Sequence, residues 1–187
     1  MHRFLVSPDN IQGNKITIEG DDFKHLHQVL RLKPGDRINV FDGSGTEYEA
    51  NIFSIEKSSA IAEIKATVKS ETEPEVRVTL FQGLPKGEKM DLIIQKGVEL
   101  GVHRIFPVIT NRTVVKLNKK DSIKKTERWQ RISREAAKQC RRTYVPEVTE
   151  PVTFDEALIK ANTFSRALFL YENEEKKCLK ETLKCYN

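Results

Sequence analysis

The chain has 187 residues, room for one large domain or two small ones, and its 38% hydrophobic content is enough for a real core. No apolar run approaches the roughly eighteen residues of a membrane span, and the N-terminus lacks the apolar stretch of a signal peptide. Cys140, Cys178 and Cys185 lack a Cys-x-x-Cys spacing and read as the reduced thiols of a cytoplasmic protein, and the four histidines show no zinc pattern, so no metal site is expected.

In chain order, residues 3–6 and 15–19 read as strands. Asp21 or Asp22 caps a short helix through Leu30, with Phe23, Leu26, Val29 and Leu30 on one side. Residues 37–41 and 46–53 pair across the turn Asp42-Gly43-Ser44-Gly45, where glycine supplies positive φ. Ala60, Ala62, Ile64, Ala66 and Val68 alternate along one further strand. Several short strands and one helix in about seventy residues make a small β-barrel. The acidic, Pro-containing stretch 70–75 reads as a linker, which divides the chain into residues 1–72 and 73–187.

The rhythm then changes. Residues 76–82 form a strand, 83–87 a loop and 88–100 a helix with Met90, Ile93, Ile94, Gly97 and Val98 on its apolar side. Gly101 takes the position after the helix, and 104–109 returns as a strand, which completes a βαβ unit of a parallel sheet. Thr153 to Glu156 is a capping box opening another helix, and 167–171 is a short apolar run of buried-strand type. The second half is therefore α/β, with ligands expected at the carboxyl ends of its strands. No Gly-x-Gly-x-x-Gly and no phosphate-binding loop occurs. Three strands followed by a last helix at 174–186 make a thin sheet, and a C-terminally incomplete chain is expected.

The charge is concentrated. Between Arg112 and Arg142 stand twelve Lys or Arg against Asp121, Glu127 and Glu135, a net +9 in a chain whose total is +5, leaving −4 elsewhere. A helix over 127–142 puts Trp129, Ile132, Ala136 and Cys140 on one side, and Arg131, Arg134, Lys138, Arg141 and Arg142 on the other. A solvated helix face is the plain alternative. The arginine content, with few interleaved acids, favours a polyanion, because each neutralised phosphate releases condensed counterions and arginine makes bidentate phosphate contacts.

Specific strings then carry a resemblance. His27-Gln28-Val29-Leu30-Arg31, Gly35-Asp36 and Phe41-Asp42-Gly43 resemble the N-terminal domain of the RsmE family, the 16S ribosomal RNA uridine-N3 methyltransferases of the SPOUT superfamily. Lys86-Gly87-Glu88-Lys89-Met90, Ile94-Gln95-Lys96 and Glu99-Leu100-Gly101-Val102 resemble the opening of its catalytic domain. Glu135-Ala136-Ala137-Lys138-Gln139-Cys140, with Arg142 and Val145-Pro146, is similar to its basic-helix signature. The resemblance implies a PUA-like RNA-holding barrel and a SPOUT α/β domain whose C-terminal part ties a trefoil knot around S-adenosylmethionine. It further implies a homodimer at full length, with small-subunit 16S ribosomal RNA as partner. The family's Gly-Pro-Glu-Gly-Gly loop and Leu-Gly-x-Arg-Ile-Leu-Arg-x-Glu-Thr segment do not occur in these 187 residues.

Methylation at uridine N3 needs the N3 proton removed, the resulting anion stabilised by cations or donors, and the base splayed from its stack. The candidate RNA-binding residues are Arg3, Arg31, Lys86, Lys96, Arg112, Lys116, Arg131, Arg134, Lys138, Arg141 and Arg142. By resemblance, Leu170, Tyr171 and Glu172 abut the cofactor. No general base can be named: Glu99 and a plain solvated charge at that position stay open. A non-catalytic RNA-binding or ribosome-assembly module is the alternative to an enzyme.

Overall fold

The computed structural model describes residues 2–69, 72–111, 113, 118–171, 173–175 and 178–184. In the first part, β1 (His2–Leu5), β2 (Ile11–Gln12), β3 (Lys15–Glu19), β4 (Arg37–Phe41), β5 (Thr46–Ile55) and β6 (Ser59–Lys69) form one sheet, in the order β1-β4-β5-β6-β3-β2. The sheet curls. Phe4 from edge strand β1 packs in the same interior cluster as Ile16 and Ile18 of β3, four strands away in the order. Two register shifts between β5 and β6, at Glu49/Ala50 and Ile52/Ser54, supply the bend, as bulges do. The helix α1 (Gly20–Lys24) continues as a π-helical turn, His25–Val29, and closes the open side with Phe23 and Leu26.

In the second part, β7 (Thr79–Gly83) and β8 (Arg104–Ile109) run parallel and are joined by α2 (Lys89–Glu99), the βαβ unit that the apolar spacing predicts. Met90, Ile94, Gly97 and Val98 are the buried face of α2, at intervals that return to one side every turn. Gly101 ends this helix at φ +94°, and a Cβ there would lie 2.5 Å from Cγ of Pro74, so only glycine lets the linker pass.

The third strand corrects the sequence reading. It is built from β9 (Glu147–Val148) and β10 (Val152–Thr153), which pair with the first and second halves of β8. Residues 167–171 instead run as exposed irregular chain, with Phe169 at 72% and Leu170 at 75% exposure. An apolar run becomes a buried strand only where a neighbouring strand and a covering layer exist, and among the described residues none lies against it. The two pieces of the true third strand are too short to show a period-two pattern.

The helix α3 (Lys119–Gln139) starts two turns earlier than its apolar stripe, because Asn118 caps it by accepting the Asp121 N–H at 2.9 Å. It also ends earlier. Arg141 adopts the left-handed conformation at φ 63°, and the Arg142 N–H bonds back to Ala137 O at 3.0 Å, a six-to-one closure of the helix end. The predicted capping box is present: the Thr153 side chain accepts from Glu156 N and opens α4 (Phe154–Ala161). The short α5 (Leu179–Lys184) follows, within the region read as the last helix.

Candidate nucleic-acid interface

Helix α3 packs along α2 in the same direction. Arg128 of α3 pairs with Asp91 in the first turn of α2, and Arg142, just past α3, donates to Val98 O and Val102 O at the far end of α2. At 1.5 Å per residue such a helix spans roughly 30 Å. It therefore runs from the carboxyl ends of the parallel strands, beside the loop that carries Lys86, to the β-barrel. Trp129, Ser133, Ala136 and Ala137 face inward, and the Ser133 hydroxyl donates to Pro146 O at 2.7 Å. At about 100° per residue, Lys120, Lys124, Arg131 and Arg134 fall on the side opposite Trp129. All four are exposed.

Three further candidates are also exposed. Arg141 is exposed, in its left-handed conformation, at the barrel end of α3. Arg31 is exposed after the π-helical turn of the barrel, also left-handed at φ 52°. Lys86 is exposed at the other end, after β7. Lys96 is exposed but lies in the last turn of α2, away from Lys86, and donates to Glu99 at 2.6 Å. That ion pair also accounts for Glu99: hydrogen bonds from Lys96 and Gln95 hold its carboxyl below the ordinary range, the opposite of what a general base near neutrality needs.

Three predicted RNA cations are engaged within the fold. Arg142 is only 4% exposed. Its guanidinium pairs with Glu73, because the left-handed turn at Arg141 carries the chain off the helix face and inward. The Arg3 guanidinium carbon sits 3.7 Å from the centre of the Phe41 ring, and the group bonds Glu47 through Nε and Nη2 at 3.1 and 3.2 Å and donates to Arg142 O at 2.8 Å. Lys138 donates to both carboxylate oxygens of Asp22 at 3.0 Å, tying α3 to α1. Helical spacing could not separate these from exposed cations, since each partner lies far away in sequence.

Arg112, Lys116 and Glu172 fall outside the described residues. Leu170 and Tyr171 lie in the exposed irregular chain. The linings of the two cavities described, one between the units and one beside Lys125 and Trp129, do not include them.

A family model for an RNA methyltransferase domain matches residues 72–186, and one for an RNA methyltransferase PUA domain matches residues 18–65. Structures of known proteins agree. A methyltransferase from Legionella pneumophila in complex with S-adenosylmethionine superposes with a TM-score of 0.81 at 29% identity, over 96% of this chain and 73% of that one. The ribosomal RNA small subunit methyltransferase E from Neisseria gonorrhoeae, bound to S-adenosylmethionine, gives 0.76 at 34% identity, over 95% and 76%. A PUA-like barrel followed by a SPOUT-type α/β unit is the class that these features define. Among curated relatives, the ribosomal RNA small subunit methyltransferase E of Bacillus subtilis is 35% identical over 160 residues, covering 86% of this chain and 62% of the relative. That of Synechocystis is 36% identical over 159 residues, covering 85% and 50%. The chain belongs to this RsmE family of RNA methyltransferases, and it spans between half and two thirds of the length of these two relatives.

Proposed function

We propose that the protein acts in S-adenosylmethionine-dependent methylation of small-subunit ribosomal RNA, at N3 of a uridine in 16S RNA. The observation that carries this reading is the row of exposed cations on α3, Lys120, Lys124, Arg131 and Arg134, set opposite a buried Trp129 face. Exposed Arg141 follows at the barrel end of α3, Arg31 is exposed on the barrel, and Lys86 lies in the loop after β7 at the strand termini, where α/β proteins place ligands. Arg112 and Lys116 belong to the same basic segment and are assigned to it on sequence. Membership of the RsmE family and the cofactor-bound structures of its relatives support the reaction class.

S-adenosylmethionine would supply the methyl group. The part of this chain is to bind and orient RNA: the cations neutralise phosphates, and positive charge near the strand ends favours the uridine anion left when N3 loses its proton. A boundary near residue 72, assembly as a homodimer and a place in the cytoplasm complete the proposal. No helix among the described residues is long and apolar enough to cross a membrane.

The test is transfer of a labelled methyl group to small ribosomal subunits that lack the modification, followed by mapping of the nucleotide. Label at uridine N3 supports the proposal. Tight RNA binding with no transfer, with or without the relatives' C-terminal segment fused on, favours the non-catalytic RNA-binding alternative.

A further inference from the structure

A cleft of about 800 Å³ lies not on the basic row but between the two units. That is in the range of sites that hold small organic ligands, about 300–1,000 Å³. One wall carries Ser44, Thr46 and Thr67 from the barrel; the other carries Arg77, His103 and Tyr144. The last two rings stack at 4.2 Å with 12° between their planes. Their backbones hold them there. The Tyr144 N–H donates to Glu73 at 2.9 Å, Tyr144 bridges to Gly43 and Ser44, and the His103 N–H donates to Val78 O at 2.8 Å.

Of the polar side chains that line the cleft, Glu73 and Arg142 are held by the fold, and the others named here are not. Among the described residues, the three hydroxyls, the imidazole and the Tyr144 phenol have no hydrogen-bond partner, and Arg77 forms no ion pair. Charge is balanced, since Arg142 neutralises Glu73 and Arg77 shares the cleft with Glu75. A balanced cleft is poorly made for a phosphate backbone. A stacked aromatic pair ringed by free donors and acceptors suits a planar heterocycle. Burial, and then the cations of Arg77, Arg104 and Arg142, hold the His103 imidazole below its ordinary value, so near neutral pH it is uncharged and keeps one donor and one acceptor.

We propose that this cleft receives an unpaired nucleobase of the bound RNA, stacked against the His103–Tyr144 pair and read at its edge by Arg77 and the hydroxyls of Ser44, Thr46 and Thr67. The inference rests on the reading of the chain as RNA-binding, and it adds a site separate from the cation row and from the strand ends.

The full chain is titrated with a short single-stranded oligoribonucleotide carrying one 2-aminopurine, and with a duplex of the same sequence. His103→Ala is expected to weaken single-strand binding roughly tenfold, the scale of one lost base stack, with the salt dependence unchanged. His103→Phe, which keeps a ring, restores most of it, and duplex binding is unaffected by either change. Wild-type affinity in His103→Ala overturns the cleft site and leaves the RNA reading standing. A wild-type chain that binds neither RNA overturns the RNA reading as well. Should the alanine variant not fold, the His103 imidazole resonances of the wild-type chain decide: they shift on single-strand titration if the base enters, and stay fixed if it does not.

Discussion

Glu73 and Arg142 join the linker to the end of the basic helix by a two-pronged contact, Nε and Nη2 of the guanidinium donating to one carboxylate oxygen at 3.1 and 2.7 Å. The other oxygen accepts the backbone N–H groups of Thr143 and Tyr144, each at 2.9 Å. The remaining prong, Nη1, donates to the carbonyls of Val98 in the last turn of α2 and of Val102 just past it. Removing one partner of a buried pair strands the other, which costs about 3–5 kcal/mol. Arg142→Met is therefore expected to lose most of that in urea unfolding. Glu73→Gln should lose less, because its amide oxygen still accepts. Equal, near-zero losses would show that the joint contributes nothing.

The same contact predicts an acid limb. Burial pushes the Glu73 carboxyl up, but the hydrogen bonds from Arg142, Tyr144 and Thr143 outweigh it and hold it below the ordinary 4.5. A carboxylate depressed on folding stabilises the native state fully above its unfolded value, and that stability fades as pH falls through the lower folded value. Stability of the wild-type chain should thus drop below about pH 4.5 more steeply than that of Glu73→Gln, with the two curves parallel near neutrality. Parallel curves across the whole acid range would refute the assignment.

The sequence made some of this legible and concealed the rest for identifiable reasons. Met90, Ile94 and Val98, and the Thr153–Glu156 capping box, are local patterns, and the structure follows them. The strand expected at 167–171 was the wrong apolar run, because β9 and β10 are two-residue pieces whose pairing is decided by β8, some forty residues earlier. The basic surface was visible as charge. Which cations are free was not, since Asp22, Glu47 and Glu73 lie 116, 44 and 69 residues from Lys138, Arg3 and Arg142. The cleft was missed for the same reason: Arg77, His103 and Tyr144 meet only in the fold.

Exposed cations on α3 should set the salt dependence of RNA binding. Each phosphate contact contributes about 0.7–0.9 to the log–log slope. Arg131→Ala with Arg134→Ala is expected to flatten the slope by roughly 1.4–1.8 while leaving the melting temperature within a degree or two, because neither side chain is buried or, among the described residues, paired. Filter-binding or anisotropy titrations over a range of salt would read this. An unchanged slope would return α3 to a merely solvated face.

Arg141 sets a different kind of test, because its backbone and its side chain have opposing interests. Its φ of 63° is a conformation that costs a non-glycine residue about 1–2 kcal/mol, and helix ends of this type ordinarily place glycine there. Its carbonyl is used, accepting the Thr72 hydroxyl at 3.2 Å, but its side chain is exposed and buries nothing. Glycine would relieve the strain and give back part of the gain as extra freedom in the unfolded chain. Arg141→Gly should therefore be as stable as the wild type or up to about 1 kcal/mol more stable, while its RNA affinity falls and its salt slope drops by about one phosphate contact. Arg141→Ala separates the two effects, since it keeps the strain and loses the charge: it should bind RNA as weakly as the glycine variant without the stability gain. A markedly less stable glycine variant would refute the strain, and wild-type RNA affinity in both variants would show that the cation at this position has no part in holding RNA.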